Sequence, residues 1–157
     1  MPTLDGFIFT FFISNSELSD NAVSTIKNAA DLISDETPGY QYVAGRLINY
    51  HLRKMVYNDF TPPHLYKIVT KNIEQGFYDP MLTEKYTEED WNQLNDYINH
   101  DRDETLTYAG MEQFRGKYLV QNRVTKQIYE TPQVAYMCIA ASLFYSYPKE
   151  TRLKWVK

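Results

Sequence analysis

The stretch Gly116–Gln133, GKYLVQNRVTKQIYETPQ, decides how this chain is read. Tyr118, Val120 and Arg123–Val124 lead into a polar corner at Thr125–Lys126, and Ile128 and Tyr129 lead out of it. Two short runs of strand-forming residues about a tight corner predict a β-hairpin over 117–130. Thr131–Pro132 ends the second run and opens an apolar stretch, Val134–Phe144, long enough for a buried helix over 133–145. Nearly everything before the hairpin reads as helix. The predicted fold class is therefore mainly α, a helical domain with one small β-hairpin near 117–130.

Upstream, Ser19 or Asp20 is placed to cap a helix whose apolar positions are Ala22, Val23, Ile26, Ala29, Ala30 and Ile33. Thr37–Pro38–Gly39 ends it. A second helix follows with Val43, Leu47, Tyr50 and Met55 inward and Arg46, Arg53 and Lys54 outward. Pro62–Pro63 breaks it and supplies the first turn of a third, which carries Leu65, Ile68, Val69 and Ile73 and stops at Gly76. Asp79–Pro80 turns into a short helix around Met81 and Leu82. Thr87–Asp90 is a capping signal for a helix with Trp91, Leu94, Tyr97 and Ile98 on one side. Leu106, Tyr108, Ala109, Met111 and Phe114 make a further stripe ending at Gly116. Beyond the hairpin, Pro148 opens a last helix to Lys157. That helix ends with no glycine, proline or polar tail, which predicts a chain cut from something longer.

A chain of 157 residues fits one domain, and 15% aromatic content with fourteen tyrosines supports a substantial core. The formal charge of −4 supplies no basic stripe for phosphate backbones, so no nucleic-acid partner is expected. Cys138 is the single cysteine, which excludes an internal disulfide and a thiolate metal cluster and makes a cytoplasmic setting the default. The apolar run Phe7–Ile13 is too short to span a bilayer and lacks a basic lead, so it reads as a buried strand or helix turn, with no membrane partner.

Three groups invite a chemical reading. Asp96, His100 and Glu104 recur every four residues and would share one helical face, as a metal row or as a solvated ladder. Cys138 is a nucleophile or radical carrier only if an acid or base approaches it, and within the most apolar helix it reads as a small hydrophobe. His51 and Lys54, three apart with Arg46 and Arg53 nearby, would either meet the phosphates or base of a nucleotide or simply form a basic exposed face.

Taken together, several strings carry a family resemblance. AlaAlaAspLeuIleSer at 29–34, GlyTyrGlnTyrValAlaGlyArgLeu at 39–47 and HisLeuArgLys at 51–54 resemble the second half of an ATP-cone. TyrAspPro at 78–80, TyrThrGluGluAsp at 86–90, HisAspArgAsp at 100–103, ThrTyrAlaGly at 107–110, LysTyrLeuValGlnAsnArg at 117–123, GluThrProGln at 130–133 and LysGluThrArgLeu at 149–153 follow in the order found in the class I ribonucleotide reductase large subunit. The resemblance runs from about Ser19 to Lys157.

The resemblance implies a partial ATP-cone-like helical region over 1–58, with a divergent start, and the all-α N-terminal domain of the large subunit over 59–157. It implies an N-terminal fragment active in deoxyribonucleotide synthesis only with a separate polypeptide carrying the catalytic barrel and with the reductase small subunit. The family's redox and radical cysteines align with nothing here, so no catalytic residue is assigned and the chain alone is expected to be inactive. His51 and Lys54 match nucleotide-contacting positions, making ATP or dATP the implied ligand of a partial site; no other cofactor and no metal is assigned. Ala22 stands where relatives often have a nucleotide-binding histidine, and Lys126 where many have glycine. The alternative is a free-standing, non-enzymatic helical protein that senses adenine nucleotides or binds the reductase. A remnant with no role is the third expectation.

Overall fold

A computed structural model describes the chain from Leu18 to Lys157. The run Phe7–Ile13 lies outside the described residues. The described chain is α1 (Leu18–Asp31), α2 (Tyr40–Tyr57), α3 (Leu65–Glu74), α4 (Met81–Lys85), α5 (Glu88–Asn95), a 3-10 segment (His100–Thr105), α6 (Tyr108–Gln113), a π-helical turn (Phe114–Tyr118), α7 (Pro132–Phe144) and α8 (Lys149–Val156).

Local chemistry sets many of these boundaries. The Thr87 hydroxyl accepts from the Asp90 amide while the Asp90 carboxylate accepts from the Thr87 amide, a reciprocal cap that starts α5. His64 Nδ1 caps α3 by accepting from Tyr66 N at 3.3 Å, so Pro62–Pro63 precede that helix rather than form its first turn. Gly76 follows α3 at φ 75°, where glycine alone is unstrained. Pro132 stands at the start of α7.

Two apolar clusters form the interior. The first gathers Leu65, Ile68 and Val69 of α3 with Leu82, Tyr86, Trp91 and Leu94, closed by Leu153 and Val156 of α8. The second joins Ile26 and Ala29 of α1 to Ala44, Leu47, Ile48 and Leu52 of α2, and adds Met111, Leu119 and Ile128. α7 serves both, giving Val134, Met137, Cys138 and Ala141 to the first and Ala135 to the second. Val23 and Met55, expected inward, are instead more than half exposed. Among the described residues no helix is long and apolar enough to cross a membrane.

The expected hairpin over 117–130 is not present. No strand occurs among the described residues, and one isolated antiparallel bridge pairs Gln121 with Ile128. The reason lies in where the backbone donors go. Leu119 N bonds back to Phe114 O at 3.0 Å, completing the π turn, and Val120 N is taken by the Glu130 carboxylate at 2.8 Å. At the other end Asn122 Oδ1 accepts from Val124 N at 2.8 Å and from Thr125 N at 3.0 Å. Two backbone bonds cross between the runs, Tyr129 N to Val120 O at 3.0 Å and Asn122 N to Gln127 O at 2.8 Å. The Val120 donor that would return the first is committed to Glu130, and pairing stops at one bridge. The corner itself survives, with Lys126 at φ 60°. Among the described residues the regular elements are all helical, pinned by a side-chain-supported loop.

Candidate functional site

The predicted nucleotide residues lie on α2, and the shape of that helix decides what they can do. Gly45 allows it to approach the chain at Leu106 closely: a Cβ there would stand 2.2 Å from the Leu106 carbonyl oxygen. The helix ends at Asn58, which takes the left-handed conformation (φ 57°) and donates its amide to Lys54 O at 2.9 Å.

His51 and Lys54 are both half-buried near this end. Burial, and then the nearby Arg115 guanidinium, hold the His51 imidazole below its ordinary range, so it is neutral at pH 7. Lys54 Nζ donates to Asn58 O at 3.1 Å and sits 5.6 Å from the centre of the Phe60 ring. Arg115 is paired with Glu112 at 2.8 Å.

The two arginines expected on an exposed basic face turn inward instead. Arg46 Nε donates to Glu104 O at 3.2 Å, and Arg53, only 5% exposed, donates from Nη2 to His100 O at 2.6 Å. Tyr50 Oη adds a contact to Glu104 Oε1 at 3.4 Å. Charge suggested solvent; carbonyl oxygens of the 3-10 segment offered better partners for a planar, multi-donor guanidinium.

Behind Arg53 lies a buried polar cluster. Asp103 is fully buried and accepts from Gln133 Nε2 at 3.1 Å, joining the 3-10 segment to the first turn of α7. Burial pushes its carboxyl up to about 6 against the pull of Gln133 and Arg53, while burial and Arg53 push His100 down to about 4. Arg53 Nε, His100 Nδ1, Asp103 Oδ2 and both amide atoms of Asn49 are buried without a hydrogen-bond partner among the described residues. Sequence reasoning missed this cluster, because its members lie at 49–53, 100–103 and 133.

The Asp96, His100 and Glu104 row does not form. α5 ends at Asn95, and His100 and Glu104 belong to the 3-10 segment, whose three-residue period breaks an i,i+4 alignment. Among the described residues no group of three or more His, Cys, Asp or Glu is arranged to hold a metal ion. Cys138 is buried in α7, its thiol pushed well above the ordinary range by burial and then by Glu130. Glu130 is a second residue that sequence reasoning missed. It is 2% exposed and accepts from Val120 N and the Tyr78 hydroxyl. A period-2 reading would have placed it on the same side as buried Ile128.

No family model matches the chain. Over 146 residues it is 53% identical to ribonucleoside-diphosphate reductase 1 subunit alpha of Escherichia coli and 52% identical to the protein of that name from Salmonella typhimurium. It is 50% identical over 146 residues to ribonucleoside-diphosphate reductase subunit alpha of Haemophilus influenzae. The chain is homologous to the N-terminal region of the reductase alpha subunit. Each of these matches covers 93% of the chain and 19% of the relative, so the chain spans about one fifth of a reductase alpha subunit's length. Among its described residues the matched region is helical and holds no barrel.

Proposed function

We propose that the chain acts as the N-terminal helical part of a ribonucleoside-diphosphate reductase alpha subunit. Its role is structural and regulatory in deoxyribonucleotide synthesis, in the cytoplasm, with the catalytic barrel supplied by a separate portion of polypeptide. The observation that carries this reading is the 53% identity over 146 residues, which spans nearly the whole helical body. Residues 1–58 correspond on this reading to the ATP-cone-like region and 59–157 to the helical domain. The core shared by α1, α2, Met111, Leu119 and Ile128 would make the two move as one unit.

On its own the chain is inactive in this account. The family's redox and radical cysteines have no counterpart in this sequence, whose sole cysteine, Cys138, is buried with a raised pKa. The purified chain, mixed with the reductase small subunit and thioredoxin, should reduce no CDP. Measurable turnover would overturn the reading.

A second reading keeps a partial adenine-nucleotide site on α2. It is supported by His51, neutral and half-buried beside Arg115, with Lys54 one turn further on. A neutral imidazole suits a base edge and an ammonium suits phosphate. Calorimetry with ATP and dATP tests it: heat that disappears in His51→Ala and Lys54→Ala supports the site, and no heat at millimolar nucleotide removes it.

A further inference from the structure

α3 carries Lys67 and Lys71 four residues apart, so the two side chains leave one face of the helix with their Cβ atoms about 6 Å from each other. Both are exposed, and among the described residues neither ammonium forms an ion pair or a hydrogen bond. Like charges at that spacing repel. The chain has a net charge of −4, so acidic side chains were available to neutralise the pair, yet none lines the space the two lysines border.

That space is a cavity of about 180 Å³ between α3 and the end of α2, walled by Val56, Tyr57, Pro63 and Tyr129 with Lys67 and Lys71. Its walls are held from behind. Tyr57 Oη and Thr131 Oγ1 share a hydrogen bond at 3.1 Å. Asn72, only 3% exposed, donates from Nδ2 to Tyr129 O at 3.1 Å, and the Tyr129 ring stacks on Phe77 with 3.5 Å between centroids. α2, α3 and the loop ahead of α7 are thereby fixed around one space, and a preformed site has little ordering left to lose on binding.

The chemistry of the cavity limits its occupant. The carbonyl end of α2 is electronegative, but Lys54 Nζ already meets it at Asn58 O. Two free ammonium groups match the two negative charges of a phosphate monoester near neutral pH, and their rotatable donors suit phosphate oxygens. Aliphatic and tyrosine walls beside them match an apolar body attached to that phosphate. Bare phosphate would use the lysines and leave the walls uncovered.

We propose that this cavity binds a small phosphate monoester with an apolar, ring-sized body, its phosphate between Lys67 and Lys71 and its body against Val56, Pro63 and Tyr129. The site is separate from His51 and Lys54, neither of which lines the cavity, and it stands independently of the proposed function.

The test titrates the isotope-labelled 157-residue chain with phenyl phosphate at pH 7.5 and follows amide chemical shifts, with inorganic phosphate, benzoate and phenol as comparison probes. The expected result is saturable binding in the millimolar range, with the largest shifts at Val56, Tyr57, Tyr129 and across 67–72. Lys67→Gln/Lys71→Gln should weaken it about tenfold or more. Lys126→Gln/Lys154→Gln removes the same charge from exposed positions elsewhere and should leave it unchanged. All four positions are exposed, and unaltered spectra away from the cavity establish that each variant is folded. Inorganic phosphate, benzoate and phenol should each bind more weakly than phenyl phosphate. No saturable shift with phenyl phosphate, shifts centred elsewhere, or equal affinity in the two double variants would overturn the site. Inorganic phosphate binding as tightly as phenyl phosphate would overturn the role of the apolar walls. Benzoate or phenol binding as tightly would overturn the phosphate assignment.

Discussion

Arg53 donates from Nη2 to the backbone carbonyl of His100 at 2.6 Å, fastening α2 to the 3-10 segment from inside the protein. The guanidinium is only 5% exposed, and its charge also favours the ionised form of the fully buried Asp103. Arg53→Met should therefore destabilise the fold by about 2 kcal/mol at pH 7.5, because the His100 carbonyl loses a charged donor. Urea unfolding measures this. Arg53→Lys should recover only part of the loss, because an ammonium lacks the planar multi-donor geometry.

The same cluster makes a prediction about pH. Asp103 has a folded pKa near 6 against 3.8 unfolded, so between those values the folded state binds more protons and its contribution to stability falls as pH rises. His100 is shifted the opposite way, from 6.5 to about 4, so its contribution rises with pH over nearly the same window. The two slopes oppose each other in the native protein. Relative to wild type, Asp103→Asn should gain stability as pH rises from 4 to 6, by up to about 1.4 kcal/mol per pH unit. His100→Gln should lose it relative to wild type. Parallel curves for all three proteins would refute the assignment.

At Gly45 two ordinary effects conflict. Alanine in a helix interior gains about 1 kcal/mol over glycine. Here its Cβ would lie 2.2 Å from a backbone oxygen, and backbone yields poorly. Overpacking costs about 1–3 kcal/mol, so Gly45→Ala should destabilise and lower the melting temperature by roughly 3–6 °C. Gly39→Ala, where an added Cβ meets nothing within 4 Å, should leave the melt unchanged or raise it. Thermal melts of both variants decide the point.

Glu130 holds the loop that stands where a hairpin was expected. Glu130→Ala should cost about 3 kcal/mol, because it leaves the Val120 amide and the Tyr78 hydroxyl as buried donors without acceptors. Glu130→Gln keeps a carbonyl oxygen and should cost less. Amide exchange at Val120 should accelerate in the alanine variant well beyond the change at Ala135, whose amide bonds Thr131 O within α7.

The sequence was most readable where structure is decided within a few residues. Thr87 and Asp90 satisfy each other three positions apart, and Pro132 marks the start of α7 by its own geometry. Reading failed where the deciding partner lies far along the chain. Arg53 looked exposed because it is charged, yet its acceptor is 47 residues away at His100. The run 117–130 has strand-like residue types, but the Glu130 carboxylate takes the Val120 amide that a ladder would need, and the Leu119 amide closes the π turn. His51 and Lys54 were legible as a pair on one helix; the Arg115 charge that perturbs His51 arrives from the π turn and left no local signal.

The most direct measurement of the central claim is reconstituted CDP reduction. The chain, the Escherichia coli alpha subunit lacking the matched region, the small subunit and thioredoxin are assayed together and with each polypeptide omitted. The account predicts turnover in the complete mixture, and none when either alpha-subunit polypeptide is missing. Turnover from the chain without the complementary polypeptide, or no gain on adding the chain to the truncated subunit, would contradict it.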